Sequence, residues 1–255
     1  MIGLYDRYRS GSYQDVYNEL LSVHERIFDE MIYEDAIAVT KEMMRRVRYN
    51  IELLVPRLRI LGYRFGEGFW DNFEDISPEE KATIEKDIPV FRPPSSAIQE
   101  QINVLEQLVG TLPLSLKYWY EIVGSINLIG LFQEDDRREM NRSYGSIVDP
   151  LFVYSIDMAI TMVTEQRRMG TWDSNPKLSI APDNYHKYGY SGSGAYSINL
   201  PSRAIDAPLL LERHNTTFIN YLRICFQWGG FPGLEIENRL SDEELHFLTE
   251  SFLQF

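Results

Sequence analysis

Residues 112–130 read Leu-Pro-Leu-Ser-Leu-Lys-Tyr-Trp-Tyr-Glu-Ile-Val-Gly-Ser-Ile-Asn-Leu-Ile-Gly, and this stretch decides the fold. Leu112-Pro113 opens a helix that carries Leu116, Trp119, Tyr120 and Val123, and Gly124 closes it. Ile126–Phe132 is then a short apolar run between a glycine and an acidic cluster, which reads as a strand. Upstream, Ile98, Ile102, Leu105, Leu108, Val109 and Leu112 fall on one helical stripe, with Gly110 at its end. Two helices therefore lead into a sheet.

Downstream the signals alternate. Pro150–Val163 is rich in Val, Tyr, Ile and Thr and reads as one buried strand or a strand pair. Lys177–Pro182 and Ala195–Pro201 are two further strands, with the Ser-Gly-Ser-Gly of 191–194 as a turn between them. Asn215-Thr216-Thr217 leads into a helix bearing Phe218, Leu222, Cys225 and Phe226, ended by Gly229-Gly230. Ser241 and Glu244 have capping-box spacing for a last helix through Leu245, Leu248 and Phe252.

The N-terminal part is helical. Ser12 can cap a helix from Tyr13 to about His24. A second stripe over Asp35–Leu61 uses Ile37, Met44, Val47, Ile51, Leu54, Leu58 and Leu61, with Gly62 as a stop. Pro56 should kink or shorten that helix. Gly66–Pro94 is a connector, in which Ser77-Pro78 starts a short helix ending by Asp87. Pro93, Pro94, Ser95 and Ser96 mark the boundary. The expected organisation is a helical hairpin over 1–66, a connector over 67–95 and an α+β domain over 96–255. The fold class is α+β, a mostly antiparallel twisted sheet backed by helices with the hairpin appended.

Composition narrows the function. The chain has 255 residues, 44% of them hydrophobic and 25% charged, with a net charge of -13. Residues 1–63 carry 9 Lys/Arg against 10 Asp/Glu, and the remainder 16 against 28, so the acidity lies in the larger part. This balance disfavours nucleic acid and an anionic membrane as partners and favours a basic protein. Cys225 is the single cysteine, which excludes an intrachain disulfide and a Cys-rich zinc site and suits a reducing, cytoplasmic compartment. The N-terminus does not read as a signal peptide, and no run of about 18 apolar residues suggests a membrane span.

The search for catalytic motifs finds no phosphate-binding glycine loop, no Gly-x-Ser-x-Gly and no His-Glu-x-x-His. The four histidines, His24, His186, His214 and His246, are far apart. Asp183, His186 and Lys187 bracket one loop where a site is conceivable, although a surface loop is the simpler reading. The Glu134–Glu139 run lacks the alternate spacing of a calcium loop. Cys225 sits on an apolar helix face as a small buried hydrophobe, and Tyr118-Trp119-Tyr120 is core plus rim. No catalytic residue, metal or cofactor is expected.

The helix from Ile98, the Leu-Pro at 112–113, the second helix and the Gly124 turn, followed by KLSIAPDNYHK at 177–187, AYSINLP at 195–201 and TFINYLRICFQWGGFPG at 217–233, resemble the SUKH superfamily. The resemblance covers about 96–238 and departs in two places: the N-terminal helices have no counterpart, and the insert around Glu134–Ser146 is long. It implies a protein-binding α+β module without shared catalytic residues, of the kind that includes immunity proteins neutralising bacterial toxins. The expected partner surface comprises Glu134, Asp135, Asp136, Trp172, Asp173, Asp183 and Tyr185, all read as loop residues. The alternative is an enzyme or small-ligand module with a site near Asp183 and His186.

Overall fold

The apolar stripe of the N-terminal part belongs to a helix longer than its periodicity suggests, Glu30–Ile60 (α3). The computed structural model describes residues 3–66, 77, 89–132, 148–172, 176–188, 192, 194–236 and 239–255. Within α3, Pro56 neither ends the helix nor sits in its packed face. Pro56 and Glu52, whose carbonyl loses its helical donor, are both exposed, so water can satisfy the orphan group. Leu4–Arg9 (α1) and Tyr13–Ser22 (α2) precede it, joined to it by a 3₁₀ turn at His24–Phe28. Ser12 stands at the N-cap of α2 but makes no side-chain capping bond.

After α3 the chain enters short strands. Arg64–Phe65 (β1), Phe91–Arg92 (β2), Ser125–Asn127 (β3), Gly130–Leu131 (β4) and Phe152–Val153 (β5) are followed later by Lys177–Ala181 (β6) and Tyr196–Asn199 (β7). All pairings among them are antiparallel, in three small sheets: β1–β4, β2–β3–β5 and β6–β7. A backbone bond from Tyr154 N to Ile180 O, 2.9 Å, ties the second sheet to the third. Ile98–Val109 (α4) and Leu114–Tyr118 (α5) fall where expected. A π-helical turn, Trp119–Val123, then ends at Gly124, and it buries Trp119, Tyr120 and Val123 together. The class is thus α+β, with small antiparallel sheets backed by helices.

Two expectations are overturned. Ile126–Phe132 is not one strand: it is divided between β3 and β4, which pair in different sheets. Pro150–Val163 is not a strand or strand pair; only Phe152–Val153 is extended, and Ile156–Arg168 (α6) is a helix. Ile156, Ala159 and Val163 are its buried positions, at a helical spacing that the β-branched content masked. The Ser155 side chain accepts from Met158 N at the N-cap, Asp157 lies in the first turn and Arg167 and Arg168 in the last. Thr161 and Thr164 each turn their hydroxyl back onto the carbonyl four residues earlier. The last helices, Phe218–Gln227 (α7) and Asp242–Thr249 (α8), begin where expected, α8 ending before Phe252 rather than carrying it, and Ser241 and Glu244 form both halves of the capping box. The short helix expected from Ser77 to Asp87 and the insert at Glu134–Ser146 lie outside the described residues, Ser77 excepted.

One cluster of buried side chains takes in Tyr8, Tyr17, Val47 and Leu54 from the N-terminal helices together with Trp119, Ile126, Val153 and Phe218. The N-terminal helices thus supply part of the core that carries the sheets. Asp206 holds three of the layers together. Its carboxylate accepts from Tyr17 Oη (2.8 Å) on α2, Ser115 Oγ (2.7 Å) on α5 and Ile219 N (3.0 Å) at the start of α7. Burial raises its carboxyl above the ordinary carboxylate range even though these donors pull the other way.

Candidate functional site

The register of β2–β3–β5 separates two faces. Arg92 lies opposite Ser125, and Asn127 opposite Phe152, while Ile126 pairs with Val153. Ile126 and Val153 are buried in the core; Arg92, Ser125, Asn127 and Phe152 face outward. On this outer face the rings of Phe152 and Tyr154 meet edge to face, with centroids 4.9 Å apart. The face is the floor of a cleft of about 420 Å³, whose lining includes Arg92, Asn127, Phe152, Tyr154, Met158 and Pro182. Met158, from the first turn of α6, is 47% exposed. Asn127 Oδ1 accepts from Ile129 N at 2.9 Å, which fixes the turn between β3 and β4.

Pro182 leads directly into the loop that carries Asp183, Tyr185 and His186. Asp183 is buried and organises this loop. Its Oδ1 accepts from Tyr185 N (3.0 Å) and His186 N (2.8 Å) and lies 3.0 Å from His186 Nδ1, while Oδ2 accepts from Gly194 N (2.9 Å). A Cβ at Gly192 would stand 2.1 Å from Oδ2, so only glycine lets the chain approach so closely. Burial alone would raise the Asp183 carboxyl, but the backbone donors of His186 and Gly194 and the adjacent His186 ring outweigh it and hold the carboxyl below its usual range. A carboxyl depressed in the folded state contributes stability above the ordinary aspartate value of about 3.9 and loses it as pH falls through the folded value. Asp183→Asn should therefore be less stable than wild type at neutral pH, with the gap closing below about pH 3.9; denaturant midpoints at several pH values check this.

Behind the loop lies a buried ion pair that sequence reading passed over. Lys187 is fully buried, and its Nζ is 2.5 Å from Asp149 Oδ1. Tyr196 Oη donates to Asp149 Oδ2 at 3.0 Å, and the Lys187 ammonium lies 4.9 Å from the Tyr196 ring centre. This network pins the 183–188 loop to the segment entering β5 and to β7.

Of the residues expected to form the partner surface, Asp183 and Tyr185 share this loop, Asp183 as its buried support and Tyr185 exposed. Trp172 is half-buried past the end of α6, with the Arg167 guanidinium 5.6 Å from its ring centre, and it is not part of the cleft lining. Glu134, Asp135, Asp136 and Asp173 lie outside the described residues. Asp183 and His186 do come together as a carboxylate–imidazole pair, and the His186 side chain is 48% exposed. Among the described residues no hydroxyl or thiol hydrogen-bonds to that imidazole. The cleft residues Arg92, Asn127, Phe152, Tyr154 and Met158 were missed. The alternation Ser125-Ile126-Asn127 and Phe152-Val153-Tyr154 carries their signal, which a fully buried 150–163 strand concealed.

Among the described residues, no group of three or more His, Cys, Asp or Glu is placed to hold a metal ion, and no helix is long and apolar enough to cross a membrane. No protein-family model, curated protein or solved structure matches the chain.

Proposed function

We propose that the chain is a non-catalytic protein-binding module that seats a basic protein domain in the cleft over β2–β3–β5, with the Asp183 loop at its rim. The observation that carries this reading is the Phe152–Tyr154 ring pair, flanked by exposed Met158, on the outward face of a sheet whose other face is core. Aromatic and Met side chains in a concave setting are the usual anchors of protein interfaces. A net charge of -13 supports a basic partner, because it speeds encounter with a positive surface. The SUKH-like pattern and the α+β architecture fit an immunity-type role in the cytoplasm, in which the partner is a bacterial toxin domain and nucleic acid is not itself bound.

Co-purification from the native host, run in parallel with wild type and a Phe152→Ala/Tyr154→Ala double variant, tests the proposal. A basic protein should be retained by wild type, and its affinity should fall at least ~30-fold in the variant, in line with the loss of central aromatic anchors. Binding should also weaken as salt rises, since exposed charges are screened over about 8 Å at physiological ionic strength. A retained partner indifferent to both the double variant and salt contradicts the proposal.

A second reading rests on the Asp183–His186 pair, 3.0 Å apart, in which a buried carboxylate orients a half-exposed imidazole as it would a general base or a ligand-binding group. His186→Ala separates the two readings: it leaves partner binding nearly unchanged if the cleft is the site, and abolishes activity or ligand binding if the pair is.

A further inference from the structure

Inside the cleft over β2–β3–β5 the charge is opposite in sign to that of the chain. Among the described residues that line it, Arg92 alone is charged, in a protein whose net charge is -13. Elsewhere guanidiniums are spent on the fold. Arg46 pairs with Glu42, Arg57 donates to the carbonyls of Leu248 and Glu250, Arg167 donates to that of Leu108, and Arg213 pairs with Glu235. The exposed Arg92 side chain has no hydrogen bond, ion pair or ring contact among the described residues. The carboxylates that adjoin the cleft walls in sequence are engaged. Asp157, next to Met158, accepts from Gln101, and Asp183, next to Pro182, is buried beneath the donors of its own loop.

The floor of the cleft also offers donors. The β2–β3 register sets Arg92 opposite Ser125, and the β3–β5 register, carried one residue past the Ile126–Val153 pair, sets Ser125 opposite Tyr154. Arg92, Ser125 and Tyr154 thus form one row across the outward face, with Asn127 and Phe152 in the next. Asn127 spends its Oδ1 on Ile129 N, which leaves its amide nitrogen, and the Ser125 hydroxyl has no partner among the described residues. Two strand spacings place Arg92 about 10 Å from Tyr154 along the row. In an extended peptide, residues two apart point their side chains to the same face, about 7 Å from one another. One such segment therefore reaches the ring pair with one side chain and Arg92 with the other, and the long Arg92 side chain covers the difference.

We infer that the part of the protein partner seated in this cleft is an extended segment carrying an apolar side chain and, two residues away, a carboxylate. This rests on the reading of the cleft as the partner site and adds the sign of what enters it: the partner is basic overall and acidic at its anchor. The apolar side chain lies on Phe152 and Tyr154, the carboxylate takes Arg92, and Ser125 Oγ and Asn127 Nδ2 donate to the segment's carbonyls. A guanidinium makes charge-assisted, bidentate bonds to a carboxylate. A lysine or arginine at the same place meets a like charge and is disfavoured.

The test titrates the full chain with the capped peptide acetyl-Phe-Ser-Asp-amide and its Asn and Lys counterparts, followed by backbone amide shifts. The Asp peptide should bind with a Kd of about 1 mM or tighter and shift residues 92, 125–127 and 152–158. The Asn peptide should bind at least ~5-fold more weakly, and the Lys peptide more weakly still. Arg92→Gln, a change at an exposed position, should bring the Asp and Asn peptides to equal affinity, and Arg92→Glu should reverse the order in favour of Lys. Equal affinity of wild type for all three peptides, a preference for Lys, no binding up to about 10 mM, or an order unmoved by Arg92→Glu would each overturn the inference. Phenylacetate binding as tightly as the Asp peptide would also overturn it, by making the site one for a small molecule. The proposed function has its own readout, retention of the partner and its loss in the Phe152→Ala/Tyr154→Ala variant. It therefore stands if the peptides alone fail, and it falls alone if that variant keeps the partner while the peptides behave as stated.

Discussion

Lys187→Ala is expected to lower unfolding stability by about 3–5 kcal/mol, among the largest effects of any single substitution outside the apolar core. Lys187 is fully buried and its ammonium is the cation that compensates Asp149, itself 1% exposed. Taking it away leaves the Asp149 carboxylate in the interior with the Tyr196 hydroxyl as its remaining side-chain partner among the described residues. The loss follows from the uncompensated charge more than from the worth of the pair, since two buried ions are expensive to desolvate in the first place. A Lys187→Met/Asp149→Asn double variant should therefore regain much of the stability that Lys187→Ala loses. Asparagine suits the second position because Asp149 has a φ of +51°, which Asn tolerates better than apolar residues. Urea denaturation of the three proteins decides the matter, and a Lys187→Ala midpoint equal to wild type would show that the pair carries no structural weight.

Gly124→Ala should be comparably damaging for a different reason. Gly124 has φ +98°, ψ -111°, a region that L side chains rarely enter. An added Cβ would also stand 2.2 Å from the carbonyl oxygen of Arg92 and 3.0 Å from the backbone of Pro93 and Pro94. Both neighbours are main chain, so no side-chain rotation relieves the clash. Strain and overpacking together should cost about 3 kcal/mol or more. Gly11→Ala is the matched control: its φ is +111°, yet nothing lies within 4 Å of the added Cβ, so only the conformational penalty of about 1 kcal/mol applies. Because Arg92 pairs with Ser125, the Gly124 variant should also open the β2–β3 edge of the cleft and weaken partner binding beyond its effect on stability. Equal stability of the two alanine variants would show that the Arg92–Gly124 approach is not held in solution.

The elements that the sequence made legible are those whose signals are local. The α4 stripe, the Ser241/Glu244 capping box, the glycine stops at 62, 110 and 124 and the short strands at 177–181 and 196–199 depend on neighbours within a few residues. The region 150–163 misled because Val153, Ile156, Ile160, Thr161 and Val163 carry β-branched character, whereas the helix is set by Ser155 at its cap and by packing against α4. Arg167 donates to the Leu108 carbonyl and Gln101 to Asp157 across that helix pair, contacts between residues more than 50 positions apart. The buried Asp206 and the Asp149–Lys187 pair were invisible for the same reason: single charged residues become core only once distant layers close over them. At the site, Asp183 was singled out as a contact residue, and its geometry gives it a supporting role beneath Tyr185. The cleft floor needed the β2–β3–β5 register, which brings together residues from 91–92, 125–127 and 152–153.

The proposal that the outward face of β2–β3–β5 is where a basic protein partner sits is tested most directly by backbone hydrogen exchange on the chain alone and in complex with the captured partner. The account predicts that protection gained on binding concentrates in 89–92, 125–131, 152–158 and 182–186, and that it is absent when Phe152 and Tyr154 are both alanine. Protection confined to α1–α3, with the cleft segments exchanging as in the free protein, would contradict it.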